Sequence, residues 1–142
     1  MSSKLKKAIL VIPLILVVLV FVATSCMTFR QSNKKTLAFF ESKNQVANID
    51  VVEFESKEVR YVESGFGTNK DVLIVFVHGA PGSSKDLLPF LADSTLLLFA
   101  RMITVDRLGY GYSDYGTAVT SISHQAEMIN AIIQNAPESK II

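Results

Sequence analysis

The residues best suited to chemistry lie in a short loop from His78 to Ser84, hereafter the HG loop, which directly follows a run of apolar residues. Glycine at position 79 lets the backbone turn tightly, and Pro81 fixes the turn that follows. Together they can hold the backbone N–H of Ala80 in a cavity without a backbone partner, where it would stabilise a negative charge as in an oxyanion hole. The plainer alternative is a strand-to-helix turn whose glycines serve its shape alone.

A second glycine-rich loop, Asp106 to Asp114, begins about thirty residues later and is hereafter the DR loop. The two motifs, HGxPG and then DRxGxGxSD, resemble the α/β-hydrolase superfamily, especially its epoxide hydrolase, proline iminopeptidase and haloalkane dehalogenase branches. The resemblance covers Val51 to Ile142. It implies that the complete protein hydrolyses an ester, an amide or an epoxide in a small-molecule substrate, without a metal or organic cofactor.

The resemblance also implies a role for individual residues. Ala80 would offer an oxyanion-hole amide, and a cis peptide bond would precede Pro81. Asp106 and Arg107 resemble the residues that brace the two loops against each other, with a structural ion-pair role. The remaining positions that match the family are expected to shape the loops and not to catalyse: His78, Gly79, Gly82, Gly109 and Gly111.

The catalytic nucleophile of this superfamily lies in G-x-S-x-G, which the sequence does not contain. Ser113 comes nearest, but its following glycine is one residue late and no buried strand leads into it. His124 lies on a predicted helix and is expected to pack or to face solvent. Because the acid and the histidine follow the nucleophile in this fold, Asp106 and Asp114 come too early to be the triad acid. We therefore expect this chain alone to be inactive.

The elements that must position these loops follow from hydrophobic periodicity. The pattern predicts strands over Val51–Phe54, Val59–Val62, Val72–Val77 and Arg101–Asp106, and a further strand that begins at Ser139. A tight turn through Ser56 and Lys57 is expected to join the first two strands. Val72–Val77 lacks alternation, which is typical of a strand buried on both faces. Helices are predicted over Lys85 to about Ser94, with Pro89 either in the first turn or at a kink, and over Ser121–Asn135, with a serine available as N-cap. The apolar face of the second helix would consist of Ile122, Ala126, Ile129 and Ile133.

These elements predict an α/β fold with a mainly parallel sheet and flanking helices. We expect the N-terminal portion of an α/β-hydrolase, truncated at the strand before the nucleophile elbow. Residues 49–142 would form this partial domain, and residues 27–48 a polar spacer with a possible helical stretch.

The first 26 residues have the pattern of a membrane-directed segment. Lys4, Lys6 and Lys7 precede an uncharged apolar run, and Ala23-Thr24-Ser25-Cys26 is similar to a bacterial lipobox, in which Cys26 would be lipidated. A retained N-terminal anchor and an ordinary cleaved signal are the alternatives. All three alternatives place the rest of the chain outside the cytoplasm. A lipid on Cys26 or a retained apolar helix would also hold the chain at the membrane.

Composition narrows the function classes. A formal net charge of +1 gives no support for a nucleic-acid partner, and two histidines with one cysteine make a metal site improbable and an internal disulfide impossible. Two hypotheses follow. The chain is the N-terminal part of a membrane-tethered hydrolase, or it is a non-catalytic lipoprotein module, vestigial or binding, that keeps part of the fold.

Overall fold

The computed structural model describes the backbone of residues 3–26, 29–66, 70–114, 116, 119–135 and 140–141, and the side chains of these residues from position 11, except 23–26 and 140–141. Eleven helical and strand elements follow in chain order. The helices are α1 (Ser3–Cys26), α2 (Asn33–Glu41), α3 (Leu88–Leu91) and α4 (Ile122–Asn135), with 3₁₀ turns at Ser84–Leu87 and Leu96–Leu98. The strands are β1 (Ala47–Phe54), β2 (Lys57–Ser64), β3 (Val72–Val77), β4 (Ala100–Val105) and β5 (Lys140–Ile141).

The sheet has the strand order β1-β2-β4-β3-β5. β3 pairs in parallel with β4 and with β5, whereas β1 and β2 form a hairpin and β2 pairs with β4 in antiparallel fashion. The α/β class and the five predicted strands are confirmed. The sheet is mixed and not mainly parallel, because β2 runs against both of its neighbours, β1 and β4.

The hairpin turn consists of Glu55 and Ser56, one residue earlier than the sequence indicates. Both residues have positive φ, 50° and 63°, as in the type I′ turns that match the twist of two-residue hairpins. Eight residue pairs then join the two strands, from Ala47 opposite Ser64 to Phe54 opposite Lys57.

Side chains alternate between the two faces of the sheet and build two cores. One core packs Leu73, Ile103 and Val105 beneath Met128 and Ile132 of α4. The other packs Val62 and Met102 against α2 and α3, with Phe40, Leu88 and Leu91 buried there. The expectation that β3 is buried on both faces is wrong in part: Leu73 is its one buried residue, and Val77 is 45% exposed at the end of the strand.

Helix α4 begins after Ser121, whose Oγ accepts the backbone N–H of His124 at 3.3 Å and so caps the helix as predicted. Its buried face agrees with the predicted one only in part, because Ile129 and Ile133 pack half-buried against the core. Gln125, Met128 and Ile132 point into the core, whereas Ile122 is 86% exposed. The Gln125 amide donates to the carbonyls of Leu108 and Val119, both at 3.2 Å. A polar residue therefore occupies the centre of the buried face. For this reason the buried face of α4 does not coincide with the stripe of apolar residues seen in the sequence.

The helix expected over Lys85–Ser94 is shorter and divided. Ser83 caps a 3₁₀ turn through a capping box with Asp86, and the single turn of α3 follows, with Pro89 in its first positions. Proline has no N–H to donate and is tolerated there, which decides between the first turn and a kink.

The polar stretch interpreted as a spacer packs onto the domain in part. Phe40 of α2 is 1% exposed, and β1 already begins at Ala47. In α1, every large apolar side chain from Val11 to Val22 is exposed by 48% or more. Among the residues that the structure describes, no helix meets the length and hydropathy needed to cross a membrane.

Candidate active site: two loops at one edge of the sheet

The HG loop and the DR loop leave the sheet at the same edge. β3 and β4 are parallel and in register, with Val77 beside Val105, so the loops that follow them start next to each other. In parallel sheets this carboxyl edge is where ligands bind. It is hereafter the loop edge.

His78 joins the two loops through both of its ring nitrogens. Its Nε2 accepts the backbone N–H of Arg107 at 3.1 Å, and its Nδ1 lies 2.7 Å from the carbonyl oxygen of Gly79. Nδ1 therefore carries the proton and donates it to Gly79, which makes the imidazole neutral. Burial lowers the pKa of His78 below its ordinary value of 6.5, and the nearby Arg107 lowers it further. The ring meets Tyr110 edge-on, with 5.4 Å between centroids.

Asp106 ties three segments together from a position that is 1% exposed. Its Oδ1 accepts the backbone N–H of Ser84 in the HG loop at 2.7 Å. Its Oδ2 accepts the N–H of Tyr112 in the DR loop and a guanidinium proton of Arg60 on β2, both at 3.1 Å. The carboxylate thus fixes one loop to the other and both to the sheet.

The ion-pair partner of Asp106 is Arg60, and the paired role given to Arg107 is corrected accordingly. Among the described residues Arg107 forms no ion pair. Its guanidinium instead lies over the Tyr110 ring, 4.7 Å from the centroid, and its backbone N–H is used by His78. The Asp106 carboxylate is therefore paired with Arg60 from β2 and not with its neighbour in the chain.

Arg60 is the functional residue that the sequence does not reveal. It is 4% exposed, and besides Asp106 it donates to Ser84 Oγ at 3.0 Å and to Asn33 Oδ1 at 3.1 Å. Its backbone N–H donates to Ser113 Oγ at 2.9 Å. The sequence did contain one indication of its role. Arg60 is a basic residue within the predicted strand Val59–Val62, and a charge that is buried in a strand requires a partner.

The glycines of the two loops differ in whether a residue with a Cβ could replace them. A Cβ on Gly111 would overlap the Asp106 carboxyl group, and its φ is +53°. Gly109 has a φ of 86°. Gly82 is close to Asp86, Gly79 and His78, with 3.0 to 3.3 Å left for a Cβ. Gly79 has no atom within 4 Å of its Cβ position, so its surroundings do not demand glycine.

Ala80 lies at the exposed tip of the HG loop. The peptide bond between Ala80 and Pro81 is cis, as predicted. Within the described part of the chain, the N–H of Ala80 donates to no carbonyl, carboxylate or hydroxyl. This amide is therefore free to donate to a group at the loop edge. Its proposed role as an oxyanion donor stays a prediction.

The other candidate residues lie away from this chemistry. Ser113 is 0% exposed, and its hydroxyl accepts the Arg60 N–H, so it serves the loop and not a substrate. His124 lies on α4 near the hairpin, 3.4 Å from a carboxylate oxygen of Glu55. Cys26 ends α1, and its side chain lies outside the described residues. The side chains that the structure describes include no cluster of three or more histidine, cysteine or acidic residues fit to hold a metal.

The N-terminal segment contacts both loops just before α2. The Phe29 carbonyl accepts the hydroxyl of Ser83 at 2.7 Å, and Arg30 Nε donates to the carbonyl of Gly111. The guanidinium groups of Arg30 and Arg60 flank the Tyr112 ring, 5.1 Å and 5.4 Å from its centroid. Phe29 and Arg30 therefore lie at the loop edge.

Comparison with known proteins supports the fold. No protein-family model and no curated protein matches the chain. Among solved structures, a bacterial membrane phospholipase A is 20% identical with a TM-score of 0.58, over 96% of this chain and 41% of its own. A haloalkane dehalogenase from Agrobacterium tumefaciens is 22% identical with a TM-score of 0.51, over 67% and 31%. The Cif epoxide hydrolase from Acinetobacter nosocomialis is 18% identical with a TM-score of 0.51, over 76% and 35%.

The chain therefore has the α/β-hydrolase fold, of which it contains the N-terminal portion up to β5. It spans between 31% and 41% of the length of these three structures.

Proposed function

We propose that the chain is the N-terminal part of a membrane-tethered α/β-hydrolase that acts on an ester, an amide or an epoxide, and that Ala80 supplies one donor of its oxyanion hole. The observation that carries this proposal is the Ala80 amide, which has no partner among the described residues. It stands at the tip of a loop that His78 and Asp106 fix on both sides.

The position of β5 supports the same chemistry. β5 runs parallel to β3, with Lys140 beside Val72 and Ile141 beside Leu73, so its carboxyl end points to the loop edge. In the α/β-hydrolase fold the nucleophile stands on a sharp turn after this strand. A carbonyl attacked there would develop its negative charge close to the HG loop. One backbone donor at such a place contributes about 10²–10³-fold to the rate.

The membrane tether is supported by α1. Its described side chains from Val11 to Val22 are apolar and exposed on consecutive positions, and consecutive positions cover all faces of a helix. The match to the membrane phospholipase A extends over 96% of this chain, so it includes most of α1. A lipid on Cys26 would tether the chain at the same place, and we keep both forms of the tether in the proposal.

The alternative is a non-catalytic vestigial or binding module. The 142 residues contain neither G-x-S-x-G nor a histidine after His124, so this sequence includes no complete triad. The two functions differ in whether a nucleophile follows β5. A hydrolase needs a nucleophile after β5, whereas a binding module needs only the loops.

The test is the reading frame that encodes the chain. We expect codons after Ile142, in phase or shifted by one base, to complete β5 and to encode a nucleophile elbow with serine or aspartate, followed later by a histidine. A frame that closes without an elbow would refute the hydrolase and favour the module. As the control, a serine-directed fluorophosphonate probe should leave the 142-residue chain unlabelled, and stoichiometric labelling would show that a nucleophile lies within it.

A further inference from the structure

We infer that the loop edge faces the membrane surface, and that the substrate admitted at Ala80 is an ester-linked lipid drawn from the bilayer. The substrate class rests on the proposed function. The orientation rests on the membrane tether of that proposal and on contacts that the N-terminal segment makes with the two loops.

Two consecutive residues hold that segment against the loop edge. Phe29 accepts the hydroxyl proton of Ser83 from the HG loop, at 2.7 Å. Arg30 donates to the carbonyl of Gly111 in the DR loop and covers the Tyr112 ring from 5.1 Å. Because Ser83 is 2% exposed and Gly111 is buried, these contacts are part of the packed domain and not of a loose linker.

The point of membrane attachment cannot lie far from these contacts. Cys26 ends α1 and is three residues before Phe29. Three trans peptide units span at most about 11 Å, whatever path they take. This limit holds whether the tether is the apolar helix or a lipid on Cys26, because both attach the chain to the membrane at or before residue 26.

The sequence places the water boundary at the same position. From Ala8 to Phe29 no residue is charged, and Arg30 and Gln31 begin the polar chain. The polar layer of a bilayer is about 5–8 Å deep on each side, which is comparable with the reach from Cys26 to the loops. The opposite edge of the sheet, where β4 begins after Leu98, is farther away by the length of the strand, about 17 Å.

A substrate that reaches Ala80 from this side has its acyl chain in the bilayer and its ester at the level of the headgroups. Hydrolysis breaks the bond between the acyl carbon and the alcohol oxygen. Water supplies the hydroxyl that joins the acyl carbon and the proton that joins the departing alkoxide, so the products are a carboxylic acid and an alcohol. The oxyanion that forms on the way is the charge that the Ala80 amide would stabilise.

Photo-crosslinking of the full chain in its native membrane tests the orientation. The photoreactive amino acid p-benzoylphenylalanine is placed at Ala80 on the loop edge, or at Leu98 on the opposite edge as the matched control. Both positions are exposed, and Leu98 is 80% exposed. Phospholipids are labelled in their phosphate, so a lipid chain on Cys26 is not counted. Adducts are read on the purified protein.

We expect several-fold more phospholipid adduct at Ala80 than at Leu98, and we expect Arg30→Ala to lower the yield at Ala80. Equal yields at the two positions, or none at Ala80, would overturn the orientation and the lipid substrate together. The comparison of Ala80 with Leu98 needs no change at Arg30 and holds even where Arg30→Ala does not fold. Adducts at Ala80 in a complete protein that hydrolyses no ester, amide or epoxide would refute the proposed function alone.

Discussion

The carboxylate of Asp106 illustrates how one residue organises this site without taking part in chemistry. A buried carboxylate is costly unless it is paired and its oxygens accept hydrogen bonds, and Asp106 meets both conditions with Arg60, Ser84 and Tyr112. These three partners come from β2, the HG loop and the DR loop. The geometry of the Ala80 amide therefore depends on a side chain that does not need to touch a substrate.

The Asp106 carboxyl group leaves no space for a side chain at position 111, so glycine is required there. In Gly111→Ala the new methyl group would overlap the Asp106 carboxyl group, and the positive φ adds strain. We expect a loss of at least about 2 kcal/mol in the free energy of unfolding, measured by urea denaturation in detergent micelles. Gly79→Ala is the matched control in the HG loop, because its Cβ position is open. Equal losses in the two variants would contradict this explanation.

His78 should make the junction of the loops sensitive to acid. Burial lowers the pKa of His78 in the folded state below 6.5, so under acidic conditions the unfolded chain binds the proton first. The contribution of His78 to stability is therefore complete above pH 6.5 and is lost as the pH falls through the folded pKa. A protonated ring would also lose the acceptor that receives the Arg107 N–H.

The measurement is the unfolding free energy between neutral pH and pH 5, for the wild-type chain and for His78→Gln. Glutamine keeps an acceptor but does not titrate, so its stability should fall less with pH than that of the wild type. His124 is present in both proteins and cancels in the comparison. Parallel pH profiles would show that His78 does not titrate in this way.

At the scale of elements, β2 connects the sheet to both loops. It pairs with β1 on one side and with β4 on the other, and Arg60 extends from it to both loops. The sequence predicted the strand from its apolar residues. It could not predict the partner of Arg60, because that depends on the register of Tyr61 against Val105, a contact between segments far apart in the chain.

The Arg60–Asp106 pair predicts a non-additive mutant cycle. Arg60→Met and Asp106→Asn each leave one buried charge alone, and we expect each to cost about 3–5 kcal/mol in unfolding free energy. The double variant leaves neither charge, so it should cost clearly less than the sum. Lys57→Met is the control: it breaks an exposed pair with Asp114, 3.8 Å apart, and should cost about 0–1 kcal/mol. Additive losses in the cycle would contradict the coupling.

Helix α4 shows where pattern reading fails at this scale. Its extent and its serine cap were predicted from local sequence, since both depend on residues within one turn. Its buried face was predicted only in part, because Gln125 is 6% exposed and takes a core position through two hydrogen bonds to loop carbonyls. A prediction from an apolar stripe considers apolar residues only. A buried amide is nevertheless tolerated in a core when its hydrogen-bond partners are present.

At the scale of the whole molecule, the order β1-β2-β4-β3-β5 brings the carboxyl ends of four strands, β1, β3, β4 and β5, to one edge. The two motifs predicted the fold, the cis bond at Pro81 and a shaping glycine at position 111, because these depend on residues close together in the chain. The path of residues 29 to 48 over the domain was missed, since polar composition does not report that Phe29 and Arg30 bind the two loops.

The central claim is that the Ala80 N–H stabilises an oxyanion, and it is tested by deleting that one donor from the complete protein that the gene encodes. Replacing Ala80 with the corresponding α-hydroxy acid exchanges the N–H for an oxygen, and Ala80→Gly, which keeps the N–H, is the control. We predict that the ester variant loses about 10²–10³-fold in kcat with little change in KM, and that the glycine variant stays active. An unchanged kcat in the ester variant would contradict the account.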